Sequence, residues 1–397
     1  MHTARRGWFS RCTVLALACA FCVACVGPTT FGPTTLTDPP LNVTDTDREI
    51  SALAFITYAG DELTYPDAVV DDVLKPCVEE QLQSHPLTQG RYQLIWGPVV
   101  SRFPLAEYDD NMMYVVEDLR DPGRIVVALR GTNPKGLLDW LVEDFWVTRK
   151  EPWAWGADAM PGSVSMGTAV GLNALINMRD RDWRDVPALL RDRARKHELH
   201  TIHITGHSLA GALAPVFGLW LKDTQTRWGE GEEVAIQVTA LAGATPGDAE
   251  FAAYYDKRLG PQTRRLHNPL DVVPLAWQQD NLRSIPGLYL PWNTRFSIAE
   301  EELVGVGLLL SKNKRYTQIN QGQASLTAGF SACPGDALGQ IAWQHHCGYY
   351  CAMQMADVML PVPARCEATP PPVAAKNQGT CADTSRLCPV CPVESSL

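Results

Sequence analysis

The chain has 397 residues, enough for several small domains or for one large α/β domain with appendages. Hydrophobic residues make up 46% and charged residues 20%, which excludes a largely disordered, collagen-like or coiled-coil chain. The net charge is −10 and no Lys/Arg block stands out, which argues against nucleic acid as a partner.

At the amino terminus, Arg5, Arg6 and Arg11 accompany an apolar run from Cys12 to Val23. A charged stretch and a short apolar stretch in this order read as a signal peptide, since a membrane span needs ~20 apolar residues. The run ends in Cys22-Val23-Ala24-Cys25, which resembles a bacterial lipobox with small Ala24 before the cysteine. Cys22 departs from that pattern, which prefers Leu at its place. Cys25 is therefore a candidate for lipidation and membrane anchoring, with ordinary cleavage nearby as the alternative. Either way the chain is expected to be exported, as a cell-envelope lipoprotein or a secreted protein. The chain divides into a signal peptide (1–24), a Thr/Pro-rich tether (25–48), an α/β domain (49–360) and a Pro/Cys-rich tail (361–397).

Within the domain, Ile50–Ala59 is a helical candidate. Met113–Val116 and Arg124–Leu129 are apolar runs around Asp121-Pro122-Gly123 and read as two strands joined by a turn. Thr168–Met178 is helical material, His200–Thr205 alternates as a strand, and Leu209–Leu221 is apolar at helical spacing. Val234–Leu241 and Arg264–Asn268 are further strands. Alternating strands and helices imply an α/β fold with a mostly parallel central sheet flanked by helices. Twelve cysteines are present, four of them in the first 25 residues. The other eight are an even number, which in an exported chain suggests disulfides, including in the tail. Cys388-Pro389-Val390-Cys391 reads as a disulfide rather than zinc or redox chemistry, because neither a second such pair nor a histidine adjoins it.

The strand His200–Thr205 runs into Gly206-His207-Ser208-Leu209-Ala210-Gly211 and then a helix. Strand, tight turn, serine and helix form the setting of a nucleophile elbow. Gly206 permits the turn, and the helix N-terminus aims its amides at developing negative charge. The competing reading is a serine that caps the helix. Ala210 stands where the usual elbow has Gly, adding one methyl at a close approach.

Gly-His-Ser-Leu-Ala-Gly-Ala resembles the elbow of the class 3, fungal-lipase-like lipases, a branch of the α/β hydrolases. Val126-Val127-Ala128-Leu129-Arg130-Gly131-Thr132 resembles that family's strand and oxyanion loop. Arg265–Pro274, with Asp271-Val272-Val273-Pro274, resembles its acid segment, and His346-Cys347-Gly348-Tyr349 its His-x-x-Tyr. The resemblance implies a serine esterase with Ser208 as nucleophile, Asp271 as acid and His346 as base. The backbone amides of Thr132 and Leu209 would form the oxyanion hole. It implies a lipid or ester substrate and no metal or organic cofactor. A serine hydroxyl needs a base within hydrogen-bond reach, and the base needs a carboxylate to fix its tautomer. Asp248 is the rival acid and His345 the rival base; Tyr349 three residues on favours His346.

Departures concern specificity. Trp146, Trp153 and Trp155 lie where the family has its lid; an aromatic cover and plain core packing are both open readings. Leu303–Leu310 is an apolar run between acid and base and is expected in an accessory cap. An acylglycerol lipase is the leading reading. A phospholipase, a short-chain carboxylesterase or a catalytically silent envelope lipoprotein are the alternatives.

Overall fold

The computed structural model describes residues 41–59, 67–101, 111–131, 146–156, 161–327, 329–330, 336–355 and 358. Cys25 and the tail cysteines Cys366, Cys381, Cys388 and Cys391 lie outside the described residues. Cys77, Cys347 and Cys351 are disulfide-bonded.

Helix α1 (Asp45–Ile56) opens the fold. Thr44 caps it through a capping box with Asp47, which satisfies two amides of the first turn. This helix begins inside the stretch read as tether. Arg264 holds Asp47 in an ion pair and Leu41 N–H donates to Ser325 O at 2.6 Å, so residues 41–48 are part of the packed domain. Helix α2 (Asp67–Ser84) leads to strands β1 (Tyr92–Ser101), β2 (Asn111–Asp118) and β3 (Asp121–Arg130). After β4 (Lys150–Pro152) and β5 (Ser163–Ser165) come α3 (Met166–Asn177) and α4 (Val186–Arg195). Strand β6 (Thr201–His207) runs into α5 (Leu209–Asp223), followed by α6 (Gln225–Trp228) and β7 (Ala235–Leu241). Then come β8 (Gly247–Asp248), α7 (Ala249–Leu259), β9 (Thr263–Leu266), α8 (Gln279–Ser284), α9 (Ile298–Leu310) and β10 (Tyr316–Thr317). Helices α10 (Ala337–His345) and α11 (Cys347–Ala352) complete the described fold.

The main sheet has the order β1-β2-β3-β6-β7-β9. The first three strands pair antiparallel; β3, β6, β7 and β9 pair parallel. This is the mostly parallel, helix-flanked sheet of the α/β-hydrolase fold. The long apolar runs of β2 and β3 follow from burial on both faces. Val115, Val127 and Leu129 point into a core shared with α3, α5 and α7, while Tyr114, Val116, Val126 and Ala128 point into a second core under α1 and α2. Strand alternation thus places successive residues in different cores. A smaller antiparallel sheet, β10-β8-β5-β4, lies beside the main one.

At the periphery one open reading is decided and one expectation holds. Trp153 is 3% exposed, sits in the α5 core and donates its indole N–H to Asp223 Oδ2 at 2.9 Å. Trp155 packs edge-on against it at 4.9 Å and against the same core. Both are packing residues, because the short β4–β5 hairpin folds this segment onto α5 and α7. Only Trp146 of the three is exposed, at 57%. The apolar run at 303–310 does form a cap helix, α9. Its capping box joins Ser297 and Glu300. Its outer face leaves Ile298 and Leu309 exposed, and beneath it lies an apolar hollow lined by Val272, Trp277, Phe296, Leu303, Leu310 and Ile341.

Candidate active site

Ser208 stands between β6 and α5 with φ 65° and ψ −124°. A non-glycine residue in this region is strained, and such strain persists only where surrounding structure enforces it. The enforcement is visible. Ser208 N–H donates to Leu241 O at 3.0 Å, and Gly206 leaves room for the helix: a Cβ there would meet Ala210 Cβ at 2.7 Å. The extra methyl of Ala210 is accommodated because its neighbour across the turn has none. The Ser208 side chain makes no capping bond to α5. The helix-cap reading therefore fails, and the hydroxyl is directed elsewhere.

It is directed to His345. Ser208 Oγ lies 2.8 Å from His345 Nε2, and His345 Nδ1 lies 2.9 Å from Asp271 Oδ2. Ionised Asp271 can only accept, so Nδ1 carries the proton, and Nε2 accepts from the serine hydroxyl. All three residues are buried. The expected base, His346, is not in this array. Its ring turns to the Tyr58 ring, edge-on at 5.8 Å. Consecutive residues at a helix end point about 100° apart, so only one of two adjacent imidazoles can face Ser208. The sequence marker Tyr349 sits one turn after His345, at +4, and its +3 spacing from His346 misdirects the assignment.

Tyr349 joins the acid directly. Its hydroxyl donates to Asp271 Oδ2 at 2.9 Å and accepts from Asn268 N–H at 3.1 Å. Burial, followed by the Asp271 charge, pushes its pKa well above the ordinary phenol value, so it remains a donor. Val273 N–H donates to the other carboxylate oxygen at 3.0 Å. Asn268 Nδ2 donates to Gln344 O at 3.0 Å and Gln344 Oε1 at 2.7 Å, tying the acid loop to the helix bearing the base. In sequence Tyr349 served only as a landmark of the His-x-x-Tyr spacing, and Asn268 and Gln344, which carry no spacing signal, had no role. The rival acid Asp248 is spent elsewhere: it caps α7 through Phe251 N–H and pairs with Lys150 at 2.6 Å.

Leu209 opens α5, so its amide is one of the unsatisfied donors of the first turn. Gly131, at the end of β3, lies against this turn: a Cβ there would be 2.9 Å from the amide nitrogens of Leu209 and Ala210. The chain thus passes the elbow immediately before Thr132, which itself lies outside the described residues. Among the described residues no group of His, Cys, Asp or Glu is arranged to hold a metal ion.

Ser208 and Asp271 follow the parallel strands β6 and β9 at their carboxyl ends, where open α/β sheets place their sites, and the end of α10 brings His345 to them. Residues 126–280 match the model of the family Lipase (class 3). The matched segment holds the elbow and Asp271; His345 lies beyond it. Two rice proteins named phospholipase A1-II 3, from Oryza sativa subsp. japonica and subsp. indica, are each 30% identical over 162 residues, 38% of this chain. The chain spans 38% of the length of those curated relatives. Among solved structures, M37 lipase is similar over 79% of this chain and 93% of its own, with 28% identity and a TM-score of 0.74. The segment similar to the class 3 lipase model and the architecture shared with M37 lipase coincide on the same elbow.

Proposed function

We propose that the protein is a serine carboxylic ester hydrolase of the lipase type, cleaving acylglycerol esters through an acyl-enzyme. The observation that carries this reading is the continuous Ser208–His345–Asp271 hydrogen-bond chain on a strained elbow. Ser208 Oγ attacks the ester carbonyl as His345 Nε2 takes its proton. Asp271 stabilises the imidazolium that results. The oxyanion is held by the Leu209 amide and by that of Thr132. His345 then protonates the leaving alcohol, and a water activated by the same imidazole releases the acid. The likeness to M37 lipase supports a lipase. The exposed apolar face of α9 and the hollow beneath it favour long acyl chains over acetate.

A phospholipase is the second reading, favoured by the name of the rice relatives. Release of fatty acid from triolein, compared with phosphatidylcholine vesicles, separates the two. A fluorophosphonate probe tests the chemistry itself: it should label wild type and not Ser208→Ala. An unlabelled wild type would leave a silent binding protein.

The signal-like terminus and Cys22–Cys25 support export with lipid attachment at Cys25. Mass spectrometry of the mature amino terminus tests this; an unmodified start beyond Cys25 would mean a soluble secreted form.

A further inference from the structure

The base sits at a break between two helices. Helix α10 ends at His345 and α11 begins at Cys347, with His346 between them at φ −115° and ψ −74°. In an unbroken helix the His345 carbonyl would accept the N–H of Tyr349. Here the Tyr349 N–H bonds to His346 O at 3.2 Å instead. The carbonyl of His345 is thereby released from the helical ladder, in a buried place where an unmet acceptor is costly. His207 meets it: its Nε2 lies 2.8 Å from His345 O.

That contact fixes the state of His207. A carbonyl has no proton to offer, so Nε2 must carry one. Nδ1 is then an acceptor, and the Tyr58 hydroxyl lies 2.9 Å from it. Burial first, then the neighbouring imidazoles of His345 and His346, hold the pKa of His207 well below its ordinary value. The ring is therefore neutral with its single N–H on Nε2, and the Tyr58 hydroxyl donates to Nδ1. Phe55 at the end of α1 closes the pocket, 5.2 Å from the His207 ring.

We propose that His207 is a positioning residue for the base, holding the backbone of His345 so that its ring reaches Ser208 and Asp271 together. The proposal rests on the reading of this triad as a serine hydrolase centre. His207 directly precedes the nucleophile. The elbow therefore grips the base segment twice, through the Ser208 hydroxyl to the ring of His345 and through the His207 ring to its main chain. Tyr58, from the turn after α1, satisfies the other ring nitrogen and holds the ring in the orientation of the second grip. A ring tethered only through Ser208 and Asp271 could shift with its backbone, and small misplacements of a catalytic group are expensive in rate.

The test compares His207→Leu, which removes the donor, with His207→Gln, whose amide nitrogen lies the same number of bonds from Cα as Nε2. Kinetics on a soluble p-nitrophenyl ester, the rate of fluorophosphonate inactivation and thermal unfolding are measured for each. His207→Leu should lower kcat about thirtyfold with KM within about twofold, and slow inactivation by a similar factor. His207→Gln should recover kcat to within about threefold of wild type. Tyr58→Phe, which loses only a hydroxyl, should lower kcat about threefold to fivefold and serves if the Leu variant does not fold. The proposal is overturned by a folded Leu variant with wild-type kcat, by a folded Gln variant no better than Leu, or, where Leu fails to fold, by an unchanged Tyr58→Phe. A wild type that neither reacts with the probe nor turns over esters would overturn the hydrolase reading itself, a different result from any of these.

Discussion

His345 and His346 are adjacent in the chain, yet the first lies 2.8 Å from Ser208 Oγ and the second stacks edge-on against Tyr58 at 5.8 Å. The helix break between α10 and α11 separates their directions. His345→Ala should therefore lower ester hydrolysis about a thousandfold or more, as removal of a triad base does. His346→Ala should retain most activity. Steady-state kinetics of the two variants on one soluble ester decide it; the reverse ranking would return the base to His346.

Tyr349 gives Asp271 its second side-chain donor at 2.9 Å. A hydrogen bond to a charged group contributes about 1.5–3 kcal/mol. In Tyr349→Phe the carboxylate keeps Val273 N–H and His345 and loses some control of its orientation. kcat should fall about tenfold, with KM nearly constant and unfolding free energy lowered by about 1–2 kcal/mol. A variant with unchanged kcat and lowered stability would confine Tyr349 to folding.

The core of this fold was legible because two-period and helical patterns survive in sequence. β6, α5 and β7 lie where the apolar runs put them, within one or two residues, whereas β3 begins three residues early at Asp121, so the turn falls at Leu119-Arg120 and Asp121-Pro122-Gly123 belong to the strand. Ser208 and Asp271 were legible for a similar reason: each sits in a short segment next to a strand end, where local context fixes direction. The base was not, because two histidines in succession differ only in rotation about a helix end, and that rotation depends on the break after His345. For Trp153 and Trp155 the sequence leaves an aromatic cover and core packing both open, because only the β4–β5 hairpin, which folds them onto α5, decides it. His207 showed no signal beyond its place in the elbow; its partner, the His345 carbonyl, is a backbone group that sequence does not display.

Stability should depend on pH through buried imidazoles. Burial lowers His203 and His267 to about 3, and pushes His207 well down also. The unfolded chain takes up these protons below about pH 6.5 and the folded chain does not until far lower. Between those values the unfolded state binds more protons, so stability rises with pH and is lost on acidification from about 6.5 towards 3. Each histidine contributes up to about 1.4 kcal/mol per pH unit in that window. Urea unfolding at pH 7, 6 and 5 should show a falling midpoint. Equal midpoints at pH 7 and pH 5 would mean these rings protonate in the folded protein.

The choice between a lipase and a soluble esterase rests on α9. Ile298 is 78% and Leu309 60% exposed on the outer face of this helix, while Val304, Leu308 and Leu310 pack inward. Exposed apolar groups gain about 25 cal/mol per Å² when they enter a lipid phase. Replacing both with Ser removes that gain and leaves Ser208, His345 and Asp271 untouched. Hydrolysis of emulsified triolein should fall about tenfold, while the rate on soluble p-nitrophenyl acetate stays within about twofold. Trp153→Ala is the contrasting change. It empties a core site and should lower unfolding free energy by about 3–5 kcal/mol. Its activity losses on emulsion and soluble ester should be equal, because it acts through folding alone. If the Ile298/Leu309 pair loses activity equally on both substrates, α9 has no part in meeting lipid. A rate maximum at acetate with no gain from an interface would then leave a plain carboxylesterase.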